Sequence, residues 1–223
     1  TNIIASLTLS QKKDDVLTVS QIHSLSKMIS FQVLRVPGFL ERRFKHGEIM
    51  FEETINETSQ WFQLSPETIK SILDDFINNK GDFIKDETLP LIADKDRLDK
   101  LSEVLADKIW LIYFNNSSVP FITSVSPVVM YNFIRNSVSY ADNGVGREDT
   151  FIYYPLSSKI LIKIVPRNFL GGIMKNLNNT LGFLSNADIS FINLVNDFQV
   201  RHAEKQIFVY PDFMDSLKTI SNT

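Results

Sequence analysis

Apolar residues recur every three to four positions through the first half of the chain. After Lys108 they recur every second position or in short unbroken runs. This change of period marks a passage from helices to a sheet. From about Thr18 to Val36, the residues Ile22, Leu25, Ile29, Val33 and Val36 form one helical stripe, with Thr18 or Ser20 placed to cap its start. Pro37-Gly38 predicts the end of that helix. Ile49 to Gln63 has a weaker helical pattern. In Leu64-Ser65-Pro66-Glu67, Ser65 takes the N-cap position and Pro66 the first helical one. The stripe Ile69, Ile72, Leu73, Phe76, Ile77 then runs to a stop at Lys80-Gly81. Asp94 to Asp107 predicts an exposed helix carrying Leu98, Leu101, Val104 and Leu105.

Beyond Lys108 the predicted strands are Ile109 to Phe114, Phe121 to Ser124 with Val128 to Tyr131, Thr150 to Tyr154, and Lys159 to Val165. The stretch from Trp110 to Val129 reads as a buried hairpin turning at Asn115 to Ser118. Pro120 and Pro127 cannot donate to a ladder, so the strand between them belongs at an edge or is limited to four residues. Asp142 to Arg147 reads as a loop. Two helices, about Phe169 to Asn179 and Asp188 to Gln206, and a short strand at Phe208 to Tyr210 close the pattern. The expected fold is α+β: a helical N-terminal half and two C-terminal helices on one mainly antiparallel sheet formed by strands between 109 and 165. No repeat or Pro/Gly/Ser linker divides the chain. It is read as a single domain 1–223, helical over about 1–107 and sheet plus helices over about 108–210.

A domain of 223 residues buries roughly 70% of its unfolded surface and folds without staples. The sequence has 17 Phe, 43% hydrophobic and 22% charged residues, a globular composition and not a disordered one. With no cysteine, disulfides, thiolate metal sites and cysteine nucleophiles are excluded, which fits a reducing compartment. The net charge of −3 gives no global attraction to nucleic acid or anionic lipid. The one compact basic run, Arg42-Arg43-Phe44-Lys45-His46, is a candidate anion patch through Arg42, Arg43 and Lys45. Glu41 and Glu48 flank it, and it reads as a solvated face. No apolar run reaches the length of a membrane span. The expectation is a soluble, intracellular, cytoplasmic protein with a protein partner or a second copy of itself as partner, and neither membrane nor nucleic acid.

Little of the residue chemistry suggests catalysis. His23, His46 and His202 have no metal-binding spacing, and Asp94, Asp96 and Asp99 lack the glycine and terminal glutamate of a calcium loop. Neither a metal nor a cofactor is expected. Ser124 and Ser157 lack the strained elbow of a serine nucleophile, and Gly144-Val145-Gly146 lacks the third glycine of a phosphate cradle. Two helices place polar residues where apolar ones belong. On the first, Gln32 falls within the apolar face with Arg35 one step round. On the last, Asn196 and Gln199 lie in the stripe, with His202 at its margin. Buried polar groups require partners. The expectation is that the two helices pack together and that Gln32, Arg35, Asn196 and Gln199 form one polar cluster with His202, near the Ser124 strand.

The phrase Pro120-Phe121-Ile122-Thr123-Ser124, with Pro127 and Val128, follows a Trp-led strand. Three further segments accompany it: Ile29 to Pro37, Tyr154 to Lys159, and Asn193 to Asn196 continuing through Ala203 to Phe208. In this wording and order the chain resembles the bacterial domain-of-unknown-function family DUF 4238, from about Ile29 to about Phe208. In that family's phrase an aspartate usually stands where this chain has Val125, and an upstream His-x-x-Pro segment is usual. Neither is present here, and the chain reads as a fragment of a longer protein. The expected function is a non-catalytic interaction or scaffold domain of a bacterial or mobile-element protein. The alternative is a hydrolase or nuclease-like enzyme whose site needs the missing histidine segment.

Overall fold

A computed structural model describes residues 16–209 apart from 36, 83–85, 87–89, 91–92, 140–141 and 204–205, with residues 37–43, 46, 60, 170 and 174 described by backbone alone. In chain order its elements are α1 (Val19–Leu34), α2 (Pro37–Phe62), α3 (Pro66–Asn78), α4 (Lys95–Ala106), β1 (Ile109–Asn115), β2 (Thr123–Ser124), β3 (Val129–Asn132), β4 (Thr150–Ser157), β5 (Ile160–Val165), a 3-10 helix (Phe169–Leu177), β6 (Thr180–Leu184), α5 (Ile189–His202) and β7 (Ile207–Phe208). They form two compact units. One comprises the described residues up to Val33 and from Leu98 on; the other is Leu34–Arg97.

The first unit is built on a five-stranded sheet of order β3-β4-β5-β1-β6. Its pairings are antiparallel except that of β1 with β6, which is parallel. The class is α+β and the sheet mainly antiparallel, as the periodicity predicts. Strand β6 was not expected. It is short, and its central Gly182 weakens a β pattern. That glycine has a packing reason: a Cβ there would stand 2.9 Å from a ring carbon of Tyr113, its register partner on β1.

Both faces of the sheet are covered. Trp110, Ile112, Met130, Ile152, Ile160, Ile162 and Ile164 face one core, closed by Leu25, Ile29 and Val33 of α1 and Leu105 of α4. Ile109, Leu111, Val129, Phe151, Tyr153, Leu161 and Val165 face the other, closed by Ile192, Val195 and Phe198 of α5. The period of two thus sorts one strand's residues into two cores. It also puts α1 and α5 on opposite faces of the sheet. The direct packing of these two helices on each other, expected from their polar stripes, is not formed.

Two other expectations are corrected. The hairpin from Trp110 to Val129 does not exist: β1 pairs with β5 and β6. Strand β2 is two residues long and pairs with β7, Thr123 opposite Phe208 and Ser124 opposite Ile207. The prolines at 120 and 127 restrict that strand as their missing donors require. The segment Phe169–Leu177 forms 3-10 turns and not an α-helix; Gly171 and Gly172, at φ of +67° and +82°, interrupt any regular right-handed helix there.

Helix starts follow the sequence. The Thr18 N–H donates to Gln21 Oε1 at 2.8 Å and the Gln21 N–H to Thr18 Oγ1 at 3.2 Å, a reciprocal capping box. The preceding residues are fixed by an asparagine pair. Asn179 lies at φ +60° with its side chain buried. Its Oδ1 accepts from Leu17 N–H at 2.9 Å and its Nδ2 donates to Leu17 O at 2.7 Å. Its own N–H donates to Trp110 O at 2.7 Å. Asn178 Oδ1 accepts from Trp110 N–H at 2.9 Å, and Trp110 Nε1 donates to Leu105 O at 3.0 Å.

The second unit contains a helical hairpin. Helix α2 runs 26 residues and starts at Pro37, where the sequence predicts only the end of α1. Proline is tolerated in a first turn because its missing N–H would find no partner there. Ser65 caps α3, its Oγ accepting from Thr68 N–H at 3.2 Å, with Pro66 following. The two helices meet through stacked rings, Phe44 on Phe76 at 5.3 Å and Phe51 on Phe76 at 4.4 Å between centroids, an antiparallel seam worth about 1 kcal/mol per pair beyond burial. Asp94 Oδ1 accepts from Arg97 N–H at 3.0 Å and so starts α4. This accounts for one of the three clustered aspartates.

Asn179→Ala is expected to destabilise the protein by about 1 to 3 kcal/mol through the broken bonds to Leu17. Asn179→Gly should cost about 1 kcal/mol less, because glycine accepts the left-handed backbone without strain. Urea titration of the two variants side by side checks both the loss and its order.

Candidate functional site

The polar residues of α5 fasten the segment 120–127. Asn196 is buried, 1% exposed. Its Oδ1 accepts from Ile122 N–H at 3.0 Å while its Nδ2 donates to Pro120 O at 3.0 Å. One helical turn on, Gln199 is fully buried. Its Nε2 donates to Pro127 O at 2.8 Å, and its Oε1 accepts from Ser124 Oγ at 3.1 Å. Ser124 Oγ in turn accepts from Ser126 N–H at 3.2 Å. Two carboxamides thus satisfy backbone groups of the segment on either side of its short pairing with β7. Ser126 Oγ, buried in the same segment, makes no hydrogen bond among the described residues.

The remaining residues singled out by the sequence stand elsewhere. His202, at the last turn of α5, is buried with Nδ1 at 3.3 Å from Val138 O. Burial pushes its imidazole below the ordinary 6.5, and the Val138 carbonyl opposes this only in part, so the ring is neutral at physiological pH. Gln32 is half-buried on α1, in the layer across the sheet from α5, and Arg35 is exposed in the turn that ends α1. Lys45 is exposed on α2; the side chains of Arg42 and Arg43 lie outside the described residues. Val125 occupies a turn beside β2, half-buried, its N–H bonded to Gln206 O at 3.3 Å. Ser157 ends β4, its Oγ accepting from Lys159 N–H at 3.2 Å. Among the described residues no group of three His, Asp or Glu is placed to hold a metal ion, and no helix is long and apolar enough to cross a membrane.

The sequence reading missed the most unusual group of the fold. Lys163 lies mid-strand on β5, on the face covered by α5, between Leu111 of β1 and Tyr153 of β4. Its neighbours on that face of the strand, Leu161 and Val165, are buried core residues. Its Nζ stands 4.9 Å from the ring centroid of Phe151, 5.4 Å from that of Tyr153 and 5.8 Å from that of Phe191. Among the described residues no carboxylate or carbonyl bonds to it. The rings favour the ammonium form by cation–π attraction, but desolvation prevails and holds the amine below the ordinary 10.5. The phenols beside it are displaced the other way. Burial raises both Tyr113 and Tyr153 above the ordinary 10, with Tyr153 also feeling Tyr113 and Tyr131. A signal for this group was present in the sequence: a single lysine interrupts the strand Ile160-Leu161-Ile162-Lys163-Ile164-Val165, both of whose faces are otherwise apolar.

A second lysine is buried more fully. Lys108, 5% exposed, donates to Arg147 O at 3.4 Å. Burial lowers it, and the nearby carboxylates of Glu148 and Asp107 oppose the shift. Around it the loop 132–150 is held by Asn132, whose Nδ2 donates to Asp149 Oδ2 at 3.0 Å, and by the Arg147–Asp149 ion pair at 2.6 Å. That pair and the Arg135–Asp142 pair at 2.6 Å occupy the loop's guanidinium groups with its own carboxylates.

One family model, described as "Protein of unknown function (DUF4238)", matches residues 1–212. No curated protein and no solved structure matches the chain.

Asn196→Ala should cost about 1 to 3 kcal/mol, since the Ile122 N–H and Pro120 carbonyl lose a buried partner; chemical denaturation measures it. Lys163→Met keeps the volume and removes a desolvated amine, so the variant should be more stable than the parent at pH 7. The folded lysine titrates below its unfolded value of about 10.4, so the unfolded state binds more protons in the interval between them. Stability therefore rises with pH there. The parent should gain stability up to about pH 10, where tyrosines begin to titrate. The variant should gain less, retaining the share due to Lys108. Urea midpoints at several pH values read both effects.

Proposed function

The chain belongs to the DUF4238 family, and we propose that it acts without catalysis of its own, as an interaction or scaffold domain of a bacterial or mobile-element protein working in the cytoplasm. The use made of the residues that first suggested chemistry supports this reading. Asn196 and Gln199, with Ser124, direct their hydrogen bonds to the backbone of the segment 120–127. A carboxamide held at both its oxygen and its nitrogen by one segment is fixed in place and spends those bonds on structure. The cluster is in this reading a fastening, with His202 and Gln32 serving packing in their own layers.

A protein partner or second copy suits the exposed aromatic pair at the end of α2, Trp61 at 86% and Phe62 at 71% exposure. Tryptophan is among the residues most enriched at binding hot spots. A hydrolase or nuclease reading would instead need the exposed Arg35 or the neutral His202 to act on a substrate.

The deciding experiment combines stability and turnover. The natural full-length protein and its Arg35→Ala and His202→Ala variants are assayed on ester and phosphodiester substrates and melted in parallel. The expected result is no turnover above the blank. Arg35→Ala should stay within about 0.5 kcal/mol of the parent, as is usual for an exposed site, and His202→Ala should be destabilised. An activity that vanishes in Arg35→Ala while the melting curve is unchanged would establish an enzyme. Salt-dependent DNA binding that is lost when Arg42 and Arg43 are replaced would point to nucleic acid.

A further inference from the structure

We infer that the outer face of α2 is a seam between two copies of this chain, paired antiparallel about a two-fold axis at the middle of the helix. The inference rests on the interaction-domain reading and narrows its partner to a second copy. It begins from the faces of the helix. Successive residues turn by about 100°, so the ring-stacked Phe44 and Phe51 mark the side that meets α3, and Ile49, Met50, Glu53, Glu57 and Trp61 lie round the opposite side. All five are exposed, Ile49 by 48%, Met50 by 55% and Trp61 by 86%. Single apolar residues scattered on a surface need no explanation. Three on one side of one helix leave apolar area in water that a partner would remove.

The order of charges selects the occupant. Arg42, Arg43 and Lys45 precede the midpoint of the helix, and Glu52, Glu53 and Glu57 follow it. Glu41 and Glu48, which break that order, occupy positions turned toward the α3 side. A helix cationic in one half and anionic in the other is complementary to its own reverse. A two-fold interface requires such self-complementarity, since both copies present the same patch. Parallel alignment would set like charges against like and is disfavoured. Among the described residues neither Glu53 nor Glu57 forms an ion pair, and as like charges four positions apart they repel each other. A cation from a second copy relieves that repulsion.

The helix spans Pro37–Phe62, so its midpoint falls between Ile49 and Met50. A two-fold axis there brings the two Ile49-Met50 pairs together. It also sets Arg42 opposite Glu57 of the second copy and Gly38 opposite its Trp61, where the lack of a side chain leaves room for an indole. Exposed ion pairs contribute little affinity. The charges therefore fix direction and register, while Trp61, Ile49 and Met50 supply the burial. One pair of helices is a small interface, and the dimer is accordingly of micromolar strength.

The test is sedimentation equilibrium of the full chain over a concentration series that spans the micromolar range, with circular dichroism of each variant to confirm the fold. The parent is expected to dimerise within the series, and Trp61→Ala to associate about tenfold more weakly. Met50→Glu, at the axis, serves as a second disrupting variant should Trp61→Ala fail to fold. Arg42→Glu sets two carboxylates against each other across the seam, and Glu57→Arg sets two guanidinium groups there. Each alone should associate about tenfold or more weakly than the parent. An equimolar mixture of these two variants restores opposite charges at both contacts and should regain the parent's association. A parent that stays monomeric throughout the series, a dimer indifferent to both charge reversals, or a mixture no stronger than its components would overturn the proposal. A monomeric parent leaves the interaction reading to a different partner, whereas turnover on the ester or phosphodiester substrates would end that reading, so the two failures are told apart.

Discussion

The junction of Asn178 and Asn179 with Trp110 holds together three parts of the first unit that are far apart in sequence. Trp110 is fully buried, and its backbone takes no sheet partner from β6 at this level. Asn178 and Asn179 supply those partners instead, from the turn that leads into β6. The same Asn179 reaches back to Leu17 and fixes where α1 starts. An asparagine suits this position for two reasons: it tolerates the left-handed backbone, and its side chain carries both a donor and an acceptor. Without the junction, β6 would lose the anchor of its parallel pairing, and α1 would reach the sheet at an undefined angle.

From that junction the sheet extends as a partition with two unequal sides. The side under α1 and α4 is mostly aliphatic, with Trp110 and Tyr154 as its rings and the small hydroxyls of Ser26, Ser30 and Ser102 buried on its helices. The side under α5 is crowded with rings: Tyr131 stacks on Phe198 at 4.4 Å, Phe133 on Phe151 at 4.8 Å, and Phe169 meets Phe151 edge-on at 4.7 Å. It also contains Lys163 and the carboxamides of α5. Most of the rings and the bonded carboxamides thus fall on one face, while the opposite face is closed mainly by aliphatic side chains. A mainly antiparallel sheet covered on both sides reads in sequence as nearly unbroken apolar strands, and β1, β4 and β5 do.

What was legible in the sequence was local. The Ser65 cap, the stripes of α1 and α3, and the strands at 109, 150 and 160 rest on neighbours within a few residues, where periodicity carries the information. Pairing is non-local, and there the reading failed. The hairpin inferred from Trp110 to Val129 assumed that adjacent strands pair, whereas the second strand pairs with β7 and β1 pairs with β5 and β6. Strand β6 escaped notice because its glycine reflects a clash with Tyr113 on another strand, a fact that no window on residues 180–184 contains. The need of Asn196 and Gln199 for partners was legible from their place in an apolar stripe. The identity of those partners was not, since the chain bonds them to a segment more than 70 residues earlier. Lys163 was visible as an interruption but carries meaning only once the rings of Phe151, Tyr153 and Phe191 are brought round it.

The reach of Asn179 to Leu17 across 162 positions also sets a timetable for the newborn chain. A ribosome adds roughly 5 to 20 residues each second, so the residues ahead of α1 wait on the order of ten seconds or more before the asparagine that seats them has been made. During that interval the apolar stripe of α1 has no finished sheet to cover. The helices of residues 34–97 are complete before the sheet is and meet through the rings of Phe44, Phe51 and Phe76, which are near in sequence. Helix α1, early among the described elements, thus waits for one of the later ones before its start is fixed.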